Sequence, residues 1–329
     1  MDVINKNFDG MTQHNYDIVY NNNCTQLVDS WKVVDFINSG TFGKIFQVIN
    51  SYTNITGAMK IEYIGVEFAL LTNEIDHIIY IQNTLINDYN FKNSLRYLPH
   101  IFDRGSYADG SIFCVMELLG PDLLQLKNRQ TSRQFTLWTS YWLLREMIRA
   151  ISGIHYCGFV HRDIKLANLC IRKGHNEQRS LVLIDFGLIS QDSSCFHDYY
   201  DNLKGKTVGT LCYSSCQSQL SKSKPTFIDD LWSIFYVSLE NFTGTLPWKN
   251  SNDKNLVYNM KMNLNLVNLQ NSGFHVPHVM HEIFALLLNP NEHKRMYLHD
   301  KILNLIDEEL QILEFNDYLL LDWEINSNN

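Results

Sequence analysis

The chain has 329 residues, enough for one two-lobed domain or two small ones, and 45% are hydrophobic, too many for a disordered chain. A formal net charge of −8 speaks against non-specific nucleic-acid binding, which rewards dense Lys and Arg. Seven Cys without a CxxC pair, and twelve His away from zinc spacing, argue for free thiols in a reducing compartment and against a disulfide framework or zinc centre.

Residues 1–29 are polar, include Asn21-Asn22-Asn23 and show no period, so they read as a flexible extension. The opening Met1-Asp2-Val3-Ile4-Asn5 lacks a basic flank and a long apolar run, and no segment approaches the roughly 18 apolar residues of a membrane span. The expected setting is the cytoplasm, with nuclear entry left open, and the expected state a monomer with no membrane span and no nucleic-acid partner. Val33, Val34 and Phe36 lead into a Gly-containing turn, and Ile45, Phe46, Val48 and Ile49 follow, which reads as two strands about a tight loop. Ala58-Met59-Lys60-Ile61 is a third strand. Phe68, Leu71, Ile75, Ile78, Ile79 and Leu85 recur at helical spacing over 67–87. Short strands are expected near Ile101-Phe102 and from Ser111 to Met116.

Beyond Gly120-Pro121 the chain turns helical. Trp142, Leu143, Met147, Ala150, Ile151 and Ile154 form the stripe of a core helix from Trp138 to Tyr156, and residues 228–242 are apolar nearly all round, as in a buried helix. Further helices are expected over 253–268, 277–288 and 297–312. The tail from Glu314 mixes Asp317, Asp322 and Glu324 with Leu and Trp, and reads equally as a docking helix or a loose acidic end. The pattern is α+β: a small β-rich lobe with one main helix, a hinge near Glu117–Pro121, then a larger helical lobe.

Two runs carry the chemistry. His161-Arg162-Asp163-Ile164-Lys165-Leu166-Ala167-Asn168 and Ile184-Asp185-Phe186-Gly187 occur in this order, at a loop-sized separation, each after an apolar segment. They set an Asp, an Asn and a second Asp on neighbouring loops, the set that phosphoryl transfer needs. Asn38-Ser39-Gly40-Thr41-Phe42-Gly43-Lys44-Ile45 places Gly40 and Gly43 between strands, where backbone N–H groups can face an anion. Alone, such a Gly pair is more often an ordinary hairpin. Lys60 ends Gly57-Ala58-Met59-Lys60 and needs an anionic partner. Glu74, mid-helix among Leu71, Ile75 and Ile78, is the first candidate, with Glu67 and Asp76 as competitors. Ile112-Phe113-Cys114-Val115-Met116-Glu117-Leu118-Leu119-Gly120 reads as a buried strand entering the hinge.

These motifs resemble the eukaryotic protein kinase family over about residues 31–310. Finer features are similar to the casein kinase I group, near its tau-tubulin kinase branch: Glu117-Leu118-Leu119-Gly120-Pro121, Gly209-Thr210-Leu211-Cys212-Tyr213-Ser214-Ser215, Asp229-Asp230-Leu231-Trp232-Ser233-Ile234-Phe235-Tyr236 and Thr245-Leu246-Pro247-Trp248-Lys249. The resemblance implies a bilobal kinase domain over 30–312, with its N-lobe at 30–119 and its C-lobe at 120–312, between the 1–29 extension and an acidic tail at 313–329. It implies ATP with Mg2+ and phosphorylation of Ser or Thr on protein substrates. Asp163 would accept the hydroxyl proton, Lys165 would reach the γ-phosphate, and Asn168 and Asp185 would hold Mg2+. Lys60, braced by Glu74, would hold the α- and β-phosphates. Asn38, Gly40 and Gly43 would cover the phosphates, while Ile45, Ala58, Met116, Cys170 and Ile184 would wall the base. Backbone groups of Glu117 and Leu119 would meet the adenine edge, and Asp230 would brace the catalytic loop from below.

The chain departs from the group's pattern in places. Asn38 stands in the first Gly position, where its tolerance of left-handed backbone would keep the loop workable. Cys212 replaces an Arg, and Phe227 and Ile228 stand where an Arg pair often occurs, so a preference for phosphate-primed substrates is expected to be weak. Ser190 to Tyr213 is the activation segment by position, with Ser193, Ser194, Tyr199, Tyr200, Thr207 and Thr210 as its hydroxyls. The main alternative is a pseudokinase or scaffold that binds ATP with little transfer. A kinase-fold enzyme acting on small molecules is more remote.

Overall fold

The computed structural model describes residues 27–28, 30–39, 43–63, 70–107, 109–174, 177–195, 209–220, 224–290 and 295–325. Gly40, Glu67, Tyr199, Tyr200 and Thr207, and residues 1–26 of the expected extension, lie outside them. The chain forms two compact units: residues up to Ile75 with Pro99–Leu119, and Asp76–Leu98 with Gly120 onward.

The first unit is built on an antiparallel sheet. Its strands are β1 (Leu27–Val28), β2 (Trp31–Ser39), β3 (Gly43–Asn50), β4 (Thr56–Glu62), β5 (Ile101–Ser106) and β6 (Ile112–Glu117), in the order β1-β2-β3-β4-β6-β5. Period-two alternation sends Trp31, Phe46, Val48, Met59, Phe113 and Val115 into one core. Trp31 anchors the corner by donating its indole N–H to Asp103 Oδ2 at 3.0 Å. Leu27 and Val28 already pair with Lys32 and Trp31, so the sheet begins inside the stretch read as an extension. Asn38 continues β2 opposite Ile45 in extended backbone, so left-handed tolerance is not what its position asks for. Gly43 is required by packing: a Cβ there would stand 2.1 Å from the Ile61 carbonyl oxygen on β4.

The expected helix is α1 (Leu70–Ile86), and Glu62 at the end of β4 accepts the Leu71 N–H at 3.0 Å, satisfying one open donor of its first turn. The border between the units falls within this helix, after Ile75. Its second half packs in the other unit, where Leu85 lies beside Gly153 and His77 meets the Phe159 ring edge-on at 5.2 Å.

The second unit is mainly helical. It contains α2 (Leu123–Arg129), α3 (Leu137–Tyr156), α4 (Phe227–Thr243), α5 (Lys254–Met262), α6 (Leu266–Asn271), α7 (His278–Leu288), α8 (Arg295–Ile312) and α9 (Asp322–Ile325). Asp122 caps α2 by accepting the Gln125 N–H at 2.8 Å, and Asp229 in the first turn of α4 accepts the Thr226 N–H at 2.8 Å. Gly244, at φ 80, ends α4 in the left-handed region. The one helix expected over 253–268 is two, because Asn265 caps a new start by accepting the Asn268 N–H at 3.0 Å. Two small ribbons carry too few residues to show a period: β7 (Phe159–Val160) with β10 (Ser190–Gln191), and β8 (Leu169–Ile171) with β9 (Leu181–Leu183).

The acidic tail docks. Leu321, Asp322 and Trp323 are buried, and Trp323 lies edge-on to Phe135 and Trp142. Arg179 grips both Glu324 carboxylate oxygens at 2.7 Å, and Thr136 donates its N–H to Asp322 at 2.7 Å.

Candidate active site

In the first unit, strand register puts Ile45, Lys60 and Cys114 side by side, with Ala58 opposite Met116, on the sheet face away from the core. Lys60 Nζ meets Glu74 Oε2 at 2.6 Å, and the Glu74 side chain is only 3% exposed. Of its competitors, Asp76 is exposed. Burial, with the nearby Glu74 carboxylate, pushes the Cys114 thiol up to about 12, which keeps it an inert neutral group. Glu117 is tied to His100 twice: its N–H donates to the His100 carbonyl and its Oε1 accepts the His100 N–H, both at 2.9 Å. The Glu117 N–H is therefore committed, which narrows its expected contact with a ligand edge to the carbonyl. Leu119 follows in half-buried, irregular backbone.

In the second unit the loop after β7 holds Asp163, 6% exposed. Lys165 Nζ donates to its Oδ2 at 2.6 Å, and the Asn168 amide donates to Oδ2 at 3.1 Å and to its backbone carbonyl at 2.9 Å. Thr210 donates its hydroxyl and its N–H to Oδ1 at 2.7 and 2.9 Å. Burial alone would raise the Asp163 carboxyl; the Lys165 ammonium and the Thr210 hydroxyl outweigh it and hold it below its ordinary value. Gly209 makes this approach possible, since a Cβ there would stand 2.3 Å from the Arg162 carbonyl oxygen and its φ is +84.

The loop is braced from beneath. Asp230, fully buried on α4, accepts the N–H groups of His161 at 2.7 Å and Arg162 at 2.8 Å. It also meets His155 Nε2 at 3.0 Å, whose Nδ1 lies 2.8 Å from His299 Nε2. Burial pushes the Asp230 carboxyl up to about 6, against the pull of His161 and the two N–H donors. The two motif loops are stitched together: the Ile184 N–H donates to the Asn168 carbonyl at 2.9 Å, and the His161 ring lies 3.2 Å from the Ile184 carbonyl. Asp185 follows, exposed and at φ 65, ahead of the buried Phe186. Cys170 lies on β8, its thiol pushed up to about 12 by burial.

The donor set suits Mg2+. The Asn168 amide nitrogen is spent on Asp163, which leaves its Oδ1 as a hard ligand, and Asp185, next after Ile184 on the loop bonded to Asn168, adds a carboxylate. Among the described residues no three His, Cys, Asp or Glu side chains gather into a metal cage. An ion held by these two residues would complete its shell with water and phosphate oxygens, as Mg2+ does.

Sequence reasoning missed the part of Thr210, which it counted only as a loop hydroxyl, and the reach of His299. Gly209 was the available signal for Thr210, since a Gly before a hydroxyl marks backbone that must pass close to something.

One unit bears a sheet and a Lys–Glu pair whose carboxylate is buried, and the other is helical and holds a clamped Asp beside an Asn, so the architecture is mixed α+β. Residues 31–310 match the family described as "Protein kinase domain", and the chain belongs to that family. Its relatives include a probable serine/threonine-protein kinase of Dictyostelium discoideum, 29% identical over 91% of this chain and 57% of that protein. The serine/threonine-protein kinase spe-6 of Caenorhabditis elegans is 30% identical over 67% of this chain and 55% of its own length. A putative casein kinase I of the same nematode is 27% identical over 73% of this chain and 68% of its own length. The chain thus spans a little over half the length of the first two relatives. No helix among the described residues is long and apolar enough to cross a membrane.

Proposed function

We propose that the protein is a serine/threonine kinase that transfers the ATP γ-phosphate to protein hydroxyls. The observation that carries the reading is the Asp163 clamp: one ionised carboxylate with Lys165 at 2.6 Å and Thr210 at 2.7 Å. A carboxylate held ionised in a buried site is fit to orient an acceptor hydroxyl and take its proton. Lys165 is placed to follow charge onto the γ-phosphate, and Lys60, oriented by Glu74, to hold the α- and β-phosphates. Asn168 Oδ1 and Asp185 would hold Mg2+, which when bound neutralises the nucleotide phosphates.

Within the family we place the chain beside casein kinase I, nearest the tau-tubulin kinase branch, on the runs 117–121, 209–215, 229–236 and 245–249. Cys212 offers no charge for a priming phosphate, and Phe227 is 3% exposed in the core. Discrimination between primed and unprimed substrates is therefore expected to be weaker than in the casein kinase I group.

Radiolabelled ATP with casein and Mg2+, wild type beside Asp163→Asn, tests the activity. Label transfer by wild type alone supports the reading. Thermal stabilisation by nucleotide without transfer would overturn it in favour of a pseudokinase.

A further inference from the structure

Lys261 is a buried cation that the chemistry above leaves unused. It is 4% exposed on α5, and among the described residues its acceptors are uncharged: the carbonyls of Leu211 at 2.8 Å and Ser214 at 2.6 Å. Its ammonium also faces the rings of Tyr236, 4.8 Å from the centroid, and Trp248, at 5.6 Å. Burial pulls its pKa down to about 8, the cost of keeping an ammonium there. A charge buried at such cost against backbone carbonyls is a device for fixing that backbone.

The backbone it fixes is next to Asp163. The N–H groups of Tyr213 and Ser214 both turn back to the Thr210 carbonyl at 2.9 Å, so residues 210–214 form one tight turn. The Trp248 indole holds a third carbonyl, that of Cys212, at 2.8 Å. One end of the turn is thus clamped by Lys261 and Trp248, and the other end presents Thr210 to the Asp163 carboxylate.

We propose that Lys261 is a positioning residue for phosphate transfer: it holds the 211–214 turn so that Thr210 meets Asp163 in register. This deepens the kinase reading and rests on it. Lys261 touches no reacting atom, so its effect passes through Thr210 and belongs to kcat more than to ATP binding.

The test is a double-mutant cycle of Lys261→Met and Thr210→Ala, with kcat for casein and KM for ATP measured in each. Lys261→Met alone is expected to lower kcat about tenfold with KM for ATP within about twofold. Added to Thr210→Ala, it is expected to lower kcat by less than about twofold further, because the register it protects is already lost. Unchanged kcat in the single variant, or an equal tenfold loss in both backgrounds, would overturn the proposal. Amide hydrogen exchange reads the turn without turnover: faster exchange at Tyr213 and Ser214 in Lys261→Met is expected, and unchanged exchange would refute the clamp. Should wild type transfer no phosphate, the kinase reading falls by that result, while the exchange measurement still decides the clamp. Lys261→Arg, which keeps the charge, serves both measurements if the Met variant does not fold.

Discussion

Thr210 spends both of its donors on one oxygen: its hydroxyl and its N–H reach Asp163 Oδ1 at 2.7 and 2.9 Å. The side chain that in sequence is one of several activation-segment hydroxyls is a clamp on the Asp163 carboxylate. Thr210→Ala should lower kcat roughly 10- to 100-fold, the worth of a hydrogen bond to a charged group, while Thr210→Ser keeps most of it. Thr210→Glu should abolish transfer by setting a second carboxylate against the first. Steady-state phosphorylation of casein checks all three, and activation by Glu would refute the assignment.

Lys60→Met should remove transfer, and Glu74→Gln should weaken kcat/KM for ATP about 10- to 100-fold, because Lys60 loses its orienting charge at 2.6 Å. ATP titrations at fixed casein give these values. Equal rates for Glu74→Gln and wild type would mean that another carboxylate orients Lys60.

Acid pH should act through Asp230 before it acts through Asp163. Burial raises the Asp230 carboxyl, and that of its neighbour Asp229, to about 6. A carboxyl raised in the fold stabilises it fully below about pH 4 and loses that contribution as pH rises through about 6. Yet it is the ionised Asp230 that holds the His161 and Arg162 N–H groups. From pH 4.5 to 7, kcat is therefore expected to rise with a midpoint near 6, while these two groups pull Tm the other way. Asp163, held below its ordinary value, stays ionised throughout, and its own contribution is lost only as pH falls below about 4. A kcat that stays flat from pH 4.5 to 7 would instead leave the acid side to Asp163 alone.

Gly43→Ala should destabilise the fold by about 1–3 kcal/mol with or without nucleotide, because the added Cβ meets the Ile61 carbonyl at 2.1 Å. A loss of ATP affinity at unchanged Tm would instead place the effect of this glycine at the phosphates.

Trp323→Ala should cost about 3–5 kcal/mol, as for a large buried aromatic in a core. Thermal denaturation of the variant, and of a chain ending before Phe315, measures how far the tail belongs to the domain. An unchanged Tm in both would make the tail a loose appendage.

The strands around Trp31 and Ile45, the helix through Glu74 and the long helices at 137–156 and 227–243 were legible because their periods run long enough to be counted. Ribbons of two or three residues, and the break that Asn265 makes between α5 and α6, were not, because local hydrogen bonds decide them.

The sequence by itself determined which atoms are available for chemistry. Asp163, Asn168, Asp185 and Lys60 are set by residue type and spacing along short runs, and short-range order survives in a string of letters. Tertiary structure alone decided what holds those atoms. Glu74 comes to Lys60 across 14 positions, Thr210 to Asp163 across 47, Lys261 to Leu211 across 50 and Glu324 to Arg179 across 145. Such meetings depend on how sheets and helices pack, and no local period encodes them.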